Sequence, residues 1–248
     1  MCILFIAIEQ HPDYPVIICA NRDEFHQRPT QRMHWWQKEN ILAGKDLKAG
    51  GSWLGLTQTG QFAALTNFRI ANKFDANKQT RGDLVVNALL QSPQQTRDHL
   101  GLSSEQYNDF NLIFGTLNNL QAFDSVNKSL ISLGPGFHSI CNGALDDIWP
   151  KMALGVQKIN QLIKGDNFNL EQLFSLMKNN EIASDINLPT TGISKELESL
   201  LSSIFIRSDD YGTRSTAIIM QSQSGAVKVY ERNYSPQGNV EHSNEFSW

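Results

Sequence analysis

The chain has 248 residues, of which 40% are hydrophobic and 19% are charged, and its formal net charge is −4. These values are typical of a globular protein with a sizeable core, and they argue against a nucleic-acid-binding protein, which usually carries a basic face. Three cysteines argue against a disulfide framework and favour a reducing compartment, so we expect a cytoplasmic location. No stretch approaches the roughly 18 apolar residues of a membrane helix, and we expect no membrane span.

Hydrophobic patterns and turn signals predict strands and helices in alternating groups. The predicted strands cover 3–8, 15–20, 52–57, 61–68, 111–117, 120–124, 129–133, 137–141, 213–221 and 227–232. The predicted helices cover 82–90, 96–100, 103–107, a segment from Asp146-Asp147 to about Lys164, and 170–178, whereas residues 25–50 are predicted to form a long loop. Short turns between neighbouring strands favour antiparallel sheets with helices packed on them, in a single domain over residues 1–248.

The amino terminus carries the first candidate catalytic group. Aminopeptidases remove an initiator Met when the next side chain is small, so we expect the mature protein to begin at Cys2. A free α-amino group has a pKa of about 7.7–8.0 and can act as a base near neutral pH. The nucleophile and its base would then belong to one residue. The alternative is an ordinary buried small residue.

A polar block follows the second predicted strand. Asn21, Arg22, Asp23 and Glu24 come directly after Val-Ile-Ile-Cys-Ala, and this change of pattern predicts that the strand ends there. If a hairpin brings this end beside residue 2, Asp23 can hold or orient the terminal amine, and Arg22 can favour the Cys2 thiolate. The alternative is a solvated strand end followed by a turn.

Two asparagines at the ends of predicted strands are candidate oxyanion donors. Asn67 lies near the end of the strand that contains Ala-Ala-Leu-Thr-Asn-Phe, and Asn142 follows the predicted strand 137–141. Side-chain amides and backbone N–H groups are suitable donors to a developing oxyanion. The alternative is that each asparagine is a turn residue.

Several sequence blocks together resemble the NRDE family, also called the transport and Golgi organisation family. They are MCILFIA, ANRDEF, GGSWLGLTQTGQFAALTNFR, DFNLIFG, a strand-end Asn before IWPK, and YGTRSTAIIM, in this order from residue 1 to about residue 232. The resemblance implies similarity to the Ntn hydrolases and an α+β fold, a four-layer αββα sandwich of antiparallel sheets. Eukaryotic members of the family are associated with Golgi organisation, mitochondria, lipid metabolism and haem handling.

A further resemblance is to the cysteine Ntn hydrolases that include penicillin V acylase and bile salt hydrolase. Those proteins begin with Met-Cys, which is similar to Met1-Cys2 here, and they carry an Asp at the end of the second strand, which resembles Asp23. Their two oxyanion-hole residues resemble Asn67 and Asn142. The resemblance therefore implies a catalytic role for all four of these residues.

Two functional hypotheses follow from these motifs. The first is a hydrolase or acyltransferase that uses Cys2 to attack a linear amide C–N bond in a small molecule. The second is a non-catalytic binding or trafficking protein for a small ligand such as haem or an acyl-CoA-like lipid. The related acylases have a catalytic Arg three residues before the Asp, where this chain has Ala20, which favours the second hypothesis. In the first, Arg22 or Arg214 has to substitute.

The remaining motifs do not indicate a metal or a cofactor. His26 and His34 lie near the aromatic residues of the predicted loop, but their spacing matches no metal-binding motif. Gly50-Gly51 is not followed by the Lys-Ser/Thr of a phosphate-binding loop. We therefore expect no metal ion and no cofactor.

Overall fold

The structure is a computed structural model that describes residues 2–145, 147–165 and 168–248, apart from the side chain of Cys2. The strands are β1 (Cys2–Ile8), β2 (Val16–Phe25), β3 (Thr30–Trp36), β4 (Ile41–Asp46), β5 (Leu54–Thr57), β6 (Gln61–Asn67), β7 (Phe110–Thr116), β8 (Asn119–Asp124), β9 (Ser129–Ser132), β10 (Gly136–Ile140), β11 (Tyr211–Gln221), β12 (Val227–Tyr234) and β13 (Val240–Ser247). The α-helices are α1 (Gly82–Leu90), α2 (Pro93–Ser103), α3 (Pro150–Ile163), α4 (Leu170–Met177) and α5 (Lys195–Leu200).

The first of two compact units contains residues 1–27, 135–140 and 146–248. Its antiparallel sheet has the strand order β10-β1-β2-β11-β12-β13. Helix α3 packs on β1 and β10, and α4 packs on β2 and β11. Gly155 allows α3 to lie directly on the sheet, because a Cβ atom there would be 2.0 Å from the ring of Phe5. Phe5 is fully buried, so this ring is part of the helix–sheet core.

The second compact unit contains residues 28–134 and 141–145. Its strands form an antiparallel meander in chain order, from β3 to β9. Helix α1 packs on β5, β6 and β7. The apolar face of α1 (Leu84, Val85, Ala88 and Leu89) belongs to the same buried cluster as Phe110, Leu112 and Phe114 of β7. This spacing of apolar residues along α1 is typical of an amphipathic helix that covers one face of a sheet.

The predicted loop over residues 25–50 was wrong, because this segment forms β3 and β4. In β3 only Met33 and Trp36 are buried. An edge strand needs few buried side chains, so the mainly polar sequence of β3 lacks the apolar alternation that predicts a strand. The indole Nε1 of Trp36 donates a hydrogen bond to Ala43 O at 3.0 Å, which ties β3 to β4.

Other boundaries also differ from the predictions. Helix α3 begins at Pro150 after the N-cap residue Trp149, so Asp147 does not cap it, and Asp146 lies outside the described residues. The sequence patterns also missed α5 and β13. Every strand side chain of β13 is at least partly exposed, and a strand without a buried face lacks the apolar alternation that predicts one.

Both sheets are antiparallel and carry helices, which confirms the predicted α+β class. Each strand pair within the sheets is antiparallel, as expected where short turns join neighbouring strands. Among the helices of the described residues, none combines the length and the apolar character that a membrane crossing requires. The assignment of a single domain over residues 1–248 stays a prediction.

Candidate functional site

The polar block Asn21-Arg22-Asp23 lies inside strand β2, which continues to Phe25. The prediction that the strand ends at Ala20 was therefore wrong, and these three residues are 1%, 4% and 1% exposed. Polar residues of this kind persist in a strand only where neighbouring elements supply hydrogen-bond partners. The alternative of a solvated strand end is excluded by this burial.

The register of the first hairpin positions residue 2 beside this block. Cys2 pairs with Arg22, and Ile3 pairs with Asn21, in the antiparallel ladder between β1 and β2. Because the two strands run in opposite directions, the amino-terminal side of residue 2 lies toward Asp23. The backbone thus has the arrangement that the sequence predicted for a hairpin, although the polar residues are part of the strand.

A β-bulge in β11 decides which side chains face this block. Asp23 pairs with Thr213, Arg22 pairs with Ser215, and the register shifts between Thr213 and Ser215, so Arg214 is the extra residue. Residues three apart in a regular strand point to opposite faces, and one additional residue restores the alternation. The side chains of Thr213 and Thr216 therefore lie on one face of the sheet. The side chains of Asp23 and Asn21, on the neighbouring strand, lie on this same face.

Asn21 has a structural role in this arrangement. Its Nδ2 donates to Met177 O and to Ile204 O, both at 2.9 Å. Its Oδ1 accepts a hydrogen bond from the hydroxyl of Thr216 at 2.7 Å, and that hydroxyl accepts one from Tyr234 at 3.0 Å. Both donors of the amide are used, so Asn21 anchors the end of α4 and the segment near Ile204 to the sheet.

Asp23 lies on the same face of β2 and is also deeply buried. The hydroxyl of Thr213 donates to its Oδ1 at 2.6 Å, and the backbone N–H of Ile206 donates to the Thr213 oxygen at 2.9 Å. Burial raises the pKa of Asp23, while the positive charges of the amino terminus, Lys151 and Arg22 and the hydrogen bond from Thr213 act in the opposite direction. A buried carboxyl group whose pKa is shifted in this way is a candidate functional group.

The two candidate arginines lie on adjacent strands. Arg22 is buried in β2, and Arg214 is half-buried at the bulge, where its Nη1 donates to Phe25 O at 2.9 Å. The pKa of Arg214 is lowered by burial and by the positive charge of Arg22, whereas Glu24 and Glu241 raise it. Ala20, by contrast, pairs with Leu4 and Ala217 and is buried among apolar strands.

The two predicted oxyanion asparagines lie together in the second unit. The Nδ2 of Asn142 donates to the backbone oxygen of Asn67 at 2.8 Å, and Arg69 N donates to Asn142 O at 2.8 Å. Asn67 is the last residue of β6, which ends one residue before the predicted end at Phe68. Asn142 follows β10 after one intervening residue. The structure thus brings these two residues together, and their approach to Cys2 stays a prediction.

Three polar residues around these groups were not singled out from the sequence. Asn111, which is fully buried, donates to Gly143 O at 2.8 Å and to Cys141 O at 3.3 Å, so it holds the backbone on either side of Asn142. The hydroxyl of Thr213 donates a hydrogen bond to Asp23, and Lys151 is buried at the start of α3. All three lie in the blocks that resemble the NRDE family, which was the signal available to find them.

The two histidines that were considered as metal ligands each have a ring nitrogen within hydrogen-bond distance of a backbone carbonyl oxygen. One ring nitrogen of His26, Nε2, is 3.0 Å from Ser208 O, and Nδ1 of His34 is 2.8 Å from Arg32 O. Across residues 2–145, 147–165 and 168–248, there is no group of three or more His, Cys, Asp or Glu side chains that could hold a metal ion.

Comparisons with known proteins agree with the fold and add a family. Homologues of Transport and Golgi organization protein 2 from Bos taurus and Homo sapiens are each 29% identical to this chain, over alignments that cover 94% of the chain and 93% of each relative. A variant of the conjugated bile acid hydrolase from Clostridium perfringens has a TM-score of 0.55 at 10% identity, covering 99% of this chain and 92% of that one. This likeness confirms the Ntn-hydrolase-like fold. Because the family model for Transport and Golgi organisation 2 matches residues 1–236, the chain belongs to that family.

Proposed function

We propose that this protein is a cysteine N-terminal-nucleophile hydrolase or acyltransferase that acts on a linear amide C–N bond of a small molecule. The observation that carries the proposal is the strand register, in which the backbone of residue 2 pairs with Arg22 and lies next to the buried Asp23. This arrangement supplies a carboxyl group for the α-amino group of a mature chain that begins at Cys2. The three cysteines without a disulfide framework support a cytoplasmic location for the reaction.

The proposed reaction uses one residue as both nucleophile and base. The Cys2 thiol gives its proton to its own α-amino group, and the sulfur attacks the carbonyl carbon while the C=O electron pair moves to oxygen. When that electron pair returns, the C–N bond breaks, and the leaving amine takes the proton from the α-ammonium group. Water or a second amine then attacks the thioester and releases Cys2. Asp23 orients the α-amino group throughout.

In this proposal Asn67 and Asn142 stabilise the oxyanion. One N–H of the Asn142 amide is used by Asn67 O, and an amide has two such donors, so the other remains for substrate. A preorganised donor of this kind typically contributes about 3 kcal/mol to the transition state. Arg22 and Arg214 replace the arginine that is absent at Ala20, and their positive charge favours the thiolate form of Cys2.

The competing function is a non-catalytic carrier of a small ligand such as haem or an acyl-CoA-like lipid. It is favoured by the apolar surroundings of Ala20, where the related acylases have a catalytic arginine. A carrier needs neither a processed amino terminus nor a reactive thiol. Binding should then survive Cys2→Ser unless the sulfur is itself a ligand.

Intact mass and limited alkylation separate the two functions. We expect the purified protein to lack Met1, and we expect iodoacetamide at neutral pH to label residue 2 first. Burial raises the pKa of Cys19 to about 12, and Cys141 is also buried, so both should react slowly. Peptide mapping after a short exposure gives the order of labelling.

Two variants serve as controls for this experiment. Cys2→Ser should keep the fold but abolish turnover of short amides, whereas Cys19→Ala should leave the labelling of residue 2 unchanged. Retention of Met1 in most molecules, equal labelling of the three cysteines, or turnover that is indifferent to Cys2→Ser would each favour the carrier.

A further inference from the structure

A fully buried asparagine of the second unit has no role in the mechanism above. Asn111 is the second residue of β7, and it pairs with Thr66 in β6 and with Asp124 in β8. It is 0% exposed, and asparagine is one of the residues that are depleted in strands. A buried amide is costly unless it is hydrogen-bonded, so the contacts of this side chain show what it contributes.

The amide of Asn111 binds the chain on both sides of Asn142. Its Nδ2 donates a hydrogen bond to Gly143 O at 2.8 Å, and it lies 3.3 Å from both Cys141 O and the hydroxyl oxygen of Thr66. The contact with Gly143 is the shortest of the three and therefore the firmest. Because the carbonyl groups of residues 141 and 143 flank residue 142, these bonds hold the backbone of residue 142 against β7.

Separate contacts orient the side chain of Asn142, which is 1% exposed. Its Nδ2 donates to Asn67 O at 2.8 Å, and its Oδ1 accepts a hydrogen bond from the thiol of Cys141 at 3.3 Å. A carbonyl oxygen can only accept, so the nitrogen end of the amide has to face Asn67. The direction of the second N–H then depends on where the backbone of residue 142 is held.

We propose that Asn111 is a positioning residue that aims the second N–H of Asn142 at the oxyanion. Asn111 acts through the carbonyl groups of Cys141 and Gly143 and does not touch the substrate. Without its amide these two carbonyl groups lose a buried donor, segment 141–143 moves away from β7, and the N–H no longer points at the reacting oxygen. This inference rests on the proposed function, in which Asn142 stabilises the oxyanion.

The test uses two reagents that react with the same thiol in different ways. The Cys2 sulfur attacks the carbonyl carbon of p-nitrophenyl acetate, which forms a tetrahedral oxyanion before p-nitrophenolate leaves. With iodoacetamide the sulfur displaces iodide from a saturated carbon, and no oxyanion forms. We expect Asn111→Leu, which has a similar shape but no donor, to slow acylation by about 10- to 100-fold and to leave alkylation unchanged. The background rate of Cys2→Ser is subtracted from each measurement.

Asn108→Leu is the matched control. Asn108 is another buried asparagine of the second unit, but its amide binds the backbone N–H and carbonyl of Asp75, both at 2.8 Å. It should match the wild type in both rates. A purely structural role of Asn111 would slow acylation and alkylation together, and that result would overturn the inference.

Two further variants keep the test decisive. If Asn111→Leu does not fold, Asn111→Asp keeps the shape and removes the amide nitrogen, and it should also slow acylation relative to alkylation. In an Asn142→Ala background, Asn111→Leu should no longer change acylation, because the donor that it positions is absent. An additional loss of the same size in that background would overturn the inference.

A readout without any reaction separates this inference from the proposed function. Nitrogen-15 NMR follows hydrogen exchange of the Asn142 side-chain amide, whose signal is assigned by its loss in Asn142→Ala. We expect faster exchange in Asn111→Leu than in the wild type or Asn108→Leu. An unreactive wild-type Cys2 would contradict the proposed function, while this exchange would still report whether Asn111 holds Asn142. Unchanged exchange in Asn111→Leu, or unchanged acylation of a reactive Cys2, would overturn the role of Asn111 alone.

Discussion

At the scale of single residues, consecutive positions in the NRDE block have different roles. Asn21 uses its amide to join three other elements and has no donor left for a substrate. Arg22 pairs with residue 2 in the sheet, and Asp23 is held by Thr213 on the face that the helices cover. Their roles differ because consecutive side chains of a strand point to opposite faces of the sheet.

A first prediction concerns the pH dependence of stability at Asp23. Burial raises its pKa above the ordinary value of 3.8, so the folded state holds a proton on Asp23 to a higher pH than the unfolded chain does. The wild type should therefore lose stability as the pH rises from the unfolded-state value through the raised folded-state value. Asp23→Asn cannot ionise. As the pH rises through this range, the free energy of unfolding of the variant should therefore increase relative to that of the wild type. Urea unfolding from pH 3 to pH 7 measures the difference.

The same variant separates stability from catalysis. The asparagine side chain keeps an oxygen that can accept the hydrogen bond from the Thr213 hydroxyl, so we expect Asp23→Asn to fold. The α-amino group of residue 2, which is the base in the proposed reaction, would lose the carboxyl group that orients it. Amide turnover should therefore fall by up to roughly 10²–10⁴-fold, the contribution that a general base typically makes. A stability difference that is independent of pH, or turnover close to the wild type, would contradict these expectations.

At the scale of secondary-structure elements, glycine determines how α3 meets the sheet. We expect Gly155→Ala to destabilise the protein by about 1–3 kcal/mol, because the added methyl group would overlap the buried ring of Phe5. Gly101→Ala in α2 is the matched control, since a Cβ atom there meets nothing within 4 Å. It should stabilise the protein by about 0.5–1 kcal/mol through helix propensity. Urea denaturation gives both values, and equal effects would refute the packing argument.

At the scale of the whole molecule, the last strand covers the edge of a sheet. Strand β13 pairs with β12 along its length, yet its side chains are exposed or half-buried. We expect a chain that ends at Gly238 to fold, because the buried residues of β12 remain. Its newly open edge should promote self-association that rises with concentration. Sedimentation velocity compares it with the full chain.

A side-chain variant provides the control for this truncation. Phe246 pairs with Val229 and is half-buried, so Phe246→Ala removes side-chain contact but keeps the backbone ladder. It should associate no more than the full chain. If the truncated chain and Phe246→Ala behave alike, exposure of the edge is not the cause.

The sequence by itself determined the antiparallel character, most strands and the family, because short turns and apolar runs are local signals. It also identified Asn67 and Asn142, which the structure joins through one hydrogen bond. The length of β2 was decided only by the tertiary structure. Its polar residues stay in the strand because Met177, Ile204, Thr213 and Thr216, all distant in sequence, supply their partners.

The same reason explains why Lys151 and the bulge at Arg214 could not be predicted. A lysine at the start of a helix normally indicates a solvated side chain, and its burial follows from the close contact between Gly155 and Phe5. The bulge depends on the pairing of β11 with β2, which are separated by most of the chain. Local patterns therefore determine which elements form, whereas contacts between distant segments decide which polar groups are buried and which faces they occupy.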